Sequence, residues 1–351
     1  MLHRFFIGIL AVFYAAVGFA QAPLAGQSQF RHLDIKDGLP NQLVFSIDQD
    51  SQGYIWVGTK DGLARFDGAR FKVYQHIPGD QQSLPSNSVQ MVHIDHQNRI
   101  WVGVEGFGLY RLNPENDVFT AKPLLPKSEG SALDIWAMAS DTRGSVWFGT
   151  YGNGLFRLKP DGSVQHFLPH AGQIGLPDEN VLSLAFDAKG VLWIATSSGL
   201  VKWSDEHFIA FDNATLSSKV VINLMPDATQ GMWLGTQSGL NRISADGSVD
   251  IPAWAKQLSH ANIMAVLAES NGARWFVSGR GLNRLQNGQL EVFSHDTNFI
   301  TAFQDRDGGF WFGSAQGLIR QPVSWRFFKT YLDQDSDADA RNKIPINYQA
   351  L

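Results

Sequence analysis

The amino-acid sequence predicts an all-β chain built by repetition, and three observations carry that expectation. Glycine is abundant, at 34 of 351 residues, and aromatic residues make up 12%. Many glycines and aromatics between short apolar runs are the composition of an all-β protein with frequent turns. The hairpin text "GYIWVGTKDGLARFDG" (Gly53–Gly68) returns as "RIWVGVEGFGLYRL" (Arg99–Leu112) and "SVWFGTYGNGLFRL" (Ser145–Leu158). No stretch shows a convincing helical period.

Aligning on tryptophan exposes the whole repeat. Trp56, Trp101, Trp147, Trp193, Trp233, Trp275 and Trp311 follow one another at spacings of 45, 46, 46, 40, 42 and 36. Six residues upstream stands an acid: Asp50, Asp95, Asp141, Asp187, Asp227, Glu269 and Asp305. Two residues downstream is glycine in five units (Gly58, Gly103, Gly149, Gly235, Gly313), with Ala195 and Val277 in the other two. A Gly-Leu pair follows, from Gly62-Leu63 to Gly317-Leu318, and two residues past that leucine is always a base: Arg65, Arg111, Arg157, Lys202, Arg242, Arg284 and Arg320.

The first unit shows the elements in order. Leu43–Ile47 reads as an inner strand, Asp48–Gly53 as a hairpin, Tyr54–Thr59 as a second strand, Lys60–Gly62 as a tight turn, Leu63–Phe66 as a third strand and Phe71–Gln75 as an outer strand. Ile55, Trp56 and Val57 run together without alternation, as in a strand buried on both faces. Four strands in about 42 residues match a propeller blade rather than a helical repeat. Seven units therefore predict a seven-bladed β-propeller over residues 30–331.

Each repeated residue then has a scaffold role. The tryptophan offers about 150–250 Å² to the next blade. The glycine two residues on shares its face and would admit a neighbouring ring. The glycine before leucine supplies positive φ in the turn. The acid and the base are expected to pair across strands, a contact worth about 0–1 kcal/mol if exposed.

The two ends compete to complete the last blade: Phe30–Asp34 and Arg326–Tyr331 both read as outer strands. Residues 332–351, with the acidic Asp333–Arg341 and an Ile344–Leu351 that resembles Leu84–Met91, read as a connection into a further blade of a longer parent. The alternative is a complete seven-bladed protein with a loose tail. At the other end, Arg4, the apolar run Phe5–Val17 and the small-residue pattern Ala20–Ala22 read as a secretory signal peptide over residues 1–22. Its 16 apolar residues, Phe5–Ala20, fall short of the roughly 20 needed to span a bilayer. The expected compartment is the periplasm.

A net charge of −5 argues against nucleic-acid partners, which call for a basic face. Cysteine is absent, which excludes disulfides and thiolate metal sites. No nucleotide, hydrolase or metal motif occurs, and neither a cofactor nor a metal is expected. Asp48–Gly53 begins like a calcium loop but has Gln52 at its fifth place and Thr59 at its twelfth, where a bidentate glutamate is required.

The stretch Asp37–Gly68 resembles the two-component regulator propeller repeat, which reads G-L-P-x-N-x-V, an acid-Gly turn, then L-W-I-G-T-x-x-G-L-x-R. Gly38-Leu39-Pro40 and Gly175-Leu176-Pro177 match it well, and Leu84-Pro85 with Asn87 and Val89 matches in part. Units three, five, six and seven lack Gly-Leu-Pro. The resemblance implies a periplasmic sensor region of a membrane signalling protein whose output is a histidine kinase or a diguanylate cyclase, with glycans among the ligands of relatives. The chain itself would then bind a ligand without catalysis, with a membrane signalling module, and a second copy of the chain, as partners. A periplasmic protein-binding scaffold and a carbohydrate-active enzyme are the competing readings.

Recognition should lie in the text that does not repeat. The loops entering each inner strand and the turns between second and third strands fall on one face, and those turns vary: KDG, EGFG, YGNG, SSG, QSG, GRG and AQG. Loops on a rigid scaffold carry function. The candidates are Asn41, Lys60, Asp61, Asn87, Glu105, Phe107, Tyr151, Asn153, Asp178 and Arg280, whose aromatics, amides and mixed charge suit sugars or other polar small molecules.

Overall fold

The computed structural model describes residues 30–125, 133–170, 172, 174–227, 231–269, 271–293 and 297–321. Its strands form seven four-stranded antiparallel sheets. In blade 1 the order is Val44–Gln49, Ile55–Thr59, Gly62–Phe66 and Phe71–Tyr74, within two residues of the boundaries read from the sequence. Six blades follow this order. Blade 7 borrows its outer strand: Arg31–Leu33 pairs antiparallel with Gly317–Gln321, Leu33 facing Leu318 and Arg31 facing Arg320. Of the two competing ends, the N-terminal one closes the ring. Arg326–Tyr331, the expected signal peptide at 1–22 and the segment 332–351 lie outside the described residues.

The inner strands neighbour one another in sequence, and that of blade 1 neighbours that of blade 7, so they ring a central channel. The second strands are the buried layer: in six blades all five residues are buried. Hydrophobic clusters sit between blades. Trp56 packs with Leu84, Val89 and Val102 of blade 2. Trp147 packs with Val181 and Ile194 of blade 4. Trp311 packs with Val44, Val57 and Phe66 of blade 1, joined there by Leu33. Each repeated tryptophan thus stacks its own blade on the next.

The acid six residues upstream holds the indole more often than the base. Its carboxylate accepts the indole N–H of the blade's tryptophan in five blades: Trp56 to Asp50 at 2.7 Å, Trp101 to Asp95 at 2.8 Å, Trp193 to Asp187 at 2.9 Å, Trp275 to Glu269 at 2.6 Å and Trp311 to Asp305 at 2.9 Å. The expected acid–base pairing within a blade occurs in three, Asp141–Arg157, Asp227–Arg242 and Glu269–Arg284. In blades 1, 4 and 7 the base lies across from the tryptophan and its cation rests on the indole, as with Lys202 at 4.1 Å from the Trp193 ring centre and Arg320 at 4.9 Å from that of Trp311.

The glycine after tryptophan is also explained differently from the expectation. It admits the next blade's inner strand, not a ring. A Cβ on Gly149 would lie 2.5 Å from Val181 Cγ1, one on Gly313 would lie 2.6 Å from Val44 Cγ1, and one on Gly235 would run into the Ile263 carbonyl oxygen. The glycine before leucine has positive φ in all seven blades, for example +128° at Gly62 and +119° at Gly317, as the turn requires.

Candidate functional site

The loop from each outer strand to the next inner strand and the turn from second to third strand meet on one face, the upper face. The first residue of each turn donates its N–H to the carbonyl just before the inner strand: Lys60 to Leu43, Glu105 to Ser88, Tyr151 to Asp134, and likewise from Ser197, Gln237, Gly279 and Ala315. The expected grouping of these loops is therefore what the structure shows.

Several candidate residues turn out to hold the loops. Asn41 Oδ1 accepts the Leu43 N–H at 2.9 Å and Asp178 Oδ1 accepts the Asn180 N–H at 2.8 Å. Asn87 donates to Asp61 Oδ1 at 2.8 Å and accepts the His76 N–H at 2.7 Å. Ser198 donates to Asp178 Oδ2 at 2.7 Å, and the Asn153 carbonyl meets His166 Nε2 at 2.8 Å. These side chains and carbonyls are partly spent on the turn geometry.

Lys60 and Glu105 join blades 1 and 2 through an ion pair of 2.6 Å, and Ser88 Oγ donates to the same Glu105 oxygen at 2.5 Å. Burial raises the Glu105 carboxyl pKa, but the hydrogen bonds from Lys60 and Ser88 and the Lys60 charge outweigh it and hold the group below its ordinary value. The adjacent Gly106 N–H donates to Asp134 Oδ1 at 2.8 Å, carrying the contact into blade 3. Arg280 is exposed in the corresponding turn of blade 6, separate from this group.

Phe107 and Tyr151 stand beside this polar bridge, and the structure adds Trp136. The Trp136 and Tyr151 rings stack at 5.1 Å and 26°. Trp136 is 41% exposed and Phe107 is 56% exposed. Trp136 is the second residue of the blade 3 inner strand, where register slips by one residue. The same bulge recurs in every blade, at Phe45, Gln90, Leu182, Ile222, Met264 and Ile300. A bulge frees a side chain from the alternation of its strand, and seven of them at equivalent places ring the upper mouth of the channel. Trp136 lies on an inner strand and not in the variable loops; its visible signal in the sequence is a second tryptophan in unit three, eleven residues before the repeated one.

Ten large apolar side chains are exposed among the described residues. Seven lie on the upper face, in the loops before inner strands or beside the turns: Ile35, Ile77, Phe107, Trp136, Leu168, Ile174 and Ile251. The other three, Val73, Ile209 and Val292, are on outer strands. None lies on the opposite face. No group of three or more His, Asp or Glu that could hold a metal is present among the described residues.

Comparison with known proteins gives three matches to one family model, the two component regulator propeller, at residues 38–61, 83–106 and 175–198. The chain carries two-component regulator propeller repeats. The matched stretches belong to blades 1, 2 and 4, the units with Leu-Pro before the inner strand, and each runs from the upper-face loop into the turn after the second strand. A histidine kinase of Formosa agariphila is 50% identical over 48 residues, which are 14% of this chain and 4% of that protein. Among solved structures, the extracellular domain of a hybrid two-component system of B. thetaiotaomicron aligns with TM-score 0.71 and 24% identity over 83% of this chain. This propeller covers 41% of that domain. Virginiamycin B lyase from Staphylococcus aureus aligns with TM-score 0.65 and 14% identity over 83% of this chain and 98% of its own. At these identities the structural likenesses speak for the fold.

Proposed function

We propose that this regulator propeller is the extracytoplasmic receiving part of a signalling protein and binds a ligand on its upper face. One observation carries the reading: seven of ten exposed large apolar side chains are gathered on that face and none on the opposite one. A propeller exposes loops on both faces, so closure of the ring does not account for the bias. Exposed apolar groups gathered with polar neighbours mark interaction surfaces. The stacked Trp136–Tyr151 pair, Phe107 and the Lys60–Glu105 pair form its densest part, in blades 1 to 3. Flat aromatic surfaces beside charged and amide groups suit a ring-bearing polar ligand such as a glycan. Export by the N-terminal segment and a kinase or diguanylate cyclase output in a longer parent belong to the same proposal.

The test is a thermal-shift and calorimetry screen of the propeller against oligosaccharides, repeated with Trp136→Ala and Phe107→Ala. A ligand that raises the wild-type melting temperature and loses its effect in both variants supports the reading. A ligand that binds both variants as it binds the wild type removes this face as the site.

A further inference from the structure

The channel wall carries an arrangement that the upper face does not use. Asp48, His93 and Ser140 lie on the inner strands of blades 1, 2 and 3. Asp48 Oδ2 is 3.4 Å from His93 Nδ1, and His93 Nε2 is 3.1 Å from Ser140 Oγ. Partner chemistry assigns the tautomer: Nδ1–H faces the carboxylate and Nε2 accepts the serine hydroxyl proton. That is the connectivity of a nucleophile, its base and the group that orients the base. The carboxylate is itself fixed, since Asp48 Oδ2 accepts the Ile94 N–H and Oδ1 the Gln49 N–H, each at 2.7 Å.

Side chains bridge inner strands elsewhere in this propeller too, and Ser183 Oγ donates to Asn223 Oδ1 at 3.5 Å between blades 4 and 5. Ser46 Oγ accepts the Val92 N–H and Ser183 Oγ accepts the Leu224 N–H. Each caps a backbone N–H on the channel edge of the next strand, as Asp48 does for Ile94. The His93–Ser140 contact caps no backbone group, and unlike the Ser183–Asn223 bridge it joins a hydroxyl to an imidazole that has a carboxylate on its other nitrogen.

The same logic places an oxyanion donor. Val92 and Ile94 turn their N–H groups away from the second strand, where they face Val102 and Ile100. Met138 and Ser140 occupy the equivalent register in blade 3, facing Phe148 and Val146. The Ser140 N–H therefore points from the channel edge, beside its own Oγ. The blade 2 residue standing where Asp48 would cap it is His93, which engages the hydroxyl instead. A backbone N–H in this position stabilises charge on a carbonyl oxygen attacked by that serine.

We propose that Ser140, His93 and Asp48 form an acyl-transfer site that hydrolyses small esters entering the channel. Ser140 Oγ attacks the ester carbonyl and its proton passes to His93 Nε2. The ester C–O bond breaks, and the leaving alcohol takes that proton, leaving an acyl-serine. Water then attacks the acyl carbon and gives a proton to His93 Nε2. Ser140 Oγ departs, regains the proton, and a carboxylic acid is released. Asp48 is a positioning residue that holds the imidazole tautomer and stabilises its protonated form. The site is independent of ligand binding on the upper face.

The test uses the purified propeller with diisopropyl fluorophosphate, read by intact mass and peptide mapping, and with p-nitrophenyl acetate. One adduct at Ser140 is expected, absent in Ser140→Ala. His93→Gln should slow labelling by about 10²-fold or more, the usual worth of a positioned base. Asp48→Asn keeps an acceptor for the Ile94 N–H, so it should keep the melting temperature while slowing labelling and changing its pH profile. If Ser140 in the folded protein reacts no faster than in urea, or if Asp48→Asn folds and labels at the wild-type rate, the site is not catalytic. Should His93→Gln fail to fold, the wild-type rate and the other two variants decide the matter.

Discussion

Replacing Asp50 with alanine tests whether the repeated acid is a stabilising part of the blade. Its Oδ2 accepts the buried Trp56 indole N–H at 2.7 Å, and its Oδ1 accepts the N–H groups of Gln52 at 2.9 Å and Tyr54 at 3.1 Å. Asp50 is 4% exposed and Trp56 is fully buried. Alanine leaves the indole donor without its acceptor in a site closed to water. Hydrogen bonds to a charged group are worth about 1.5–3 kcal/mol and an orphaned buried donor about 1–3 kcal/mol, the two overlapping, so a loss of about 2–4 kcal/mol follows. At about 2.1 cal/mol/K of unfolding entropy per residue, that is a fall of roughly 3–7 °C in Tm for a ring of this size. Blade 5 provides the internal comparison. There Asp227 meets Arg242 at 2.8 Å and Arg274 at 3.4 Å, and the Trp233 indole nitrogen has no hydrogen-bond partner among the described residues. The Arg242 and Arg274 side chains are 29% and 31% exposed and can turn to water, so Asp227→Ala should cost less than Asp50→Ala. Urea unfolding of both, with exposed Asp307→Ala as baseline, gives the order. If Asp50→Ala falls no further than Asp307→Ala, the indole–carboxylate bond contributes nothing and its recurrence needs another cause.

Three further outcomes are expected. Gly149→Ala places a Cβ 2.5 Å from Val181 Cγ1 and should cost about 1–3 kcal/mol by overpacking, whereas Gly152→Ala, with nothing within 4 Å and φ +83°, should cost only about 1–2 kcal/mol of backbone strain; paired urea titrations compare them. Leu33→Ala, at a residue 1% exposed in the cluster that joins blade 7 to blade 1, should cost about 2–5 kcal/mol and speed proteolysis of the ring seam. The Glu105 carboxyl has a folded pKa below its ordinary value, so its contribution is present above the unfolded carboxylate pKa and is lost as pH falls through the folded one; the stability gap between wild type and Glu105→Gln should be small, present at pH 7, and closed in strong acid.

The scaffold was legible because it repeats. One unit alone could be misread, but seven tryptophans with an acid, a glycine and a base at fixed offsets specify register, turn and blade count together. The ring closure was harder, since Phe30–Asp34 and Arg326–Tyr331 have equal strand character and only the pairing of Arg31–Leu33 with Gly317–Gln321 separates them. The expected acid–base pair forms in three blades only, and in five the acid takes the indole N–H, because sequence offsets do not say which buried donor lies nearer, an indole or a guanidinium. The site was legible by face but not by residue. Asn41, Asp61, Asn87 and Asp178 have ligand-like side chains, yet they also satisfy backbone or neighbouring groups in their own loops. Trp136 escaped because a bulge, which no single-unit pattern announces, takes one inner-strand residue out of the alternation that would have buried it.

The distribution of exposed apolar groups separates what the ring needs from what it carries. Closure needs seven equivalent blade contacts, and the buried tryptophans supply them all around the axis. If the upper face were only a set of connections, its exposed side chains would follow the same symmetry. They do not: the stacked Trp136–Tyr151 pair and Phe107 fall in blades 2 and 3, next to the Lys60–Glu105 bridge, while the equivalent turns of blades 4 and 5 carry Ser197-Ser198 and Gln237-Ser238. An off-axis aromatic group on a symmetric ring has no role in closure, and exposing it works against solubility. On the proposed function, the ligand that covers this aromatic group would sit over blades 1 to 3, beside the channel mouth that Trp136 helps to line.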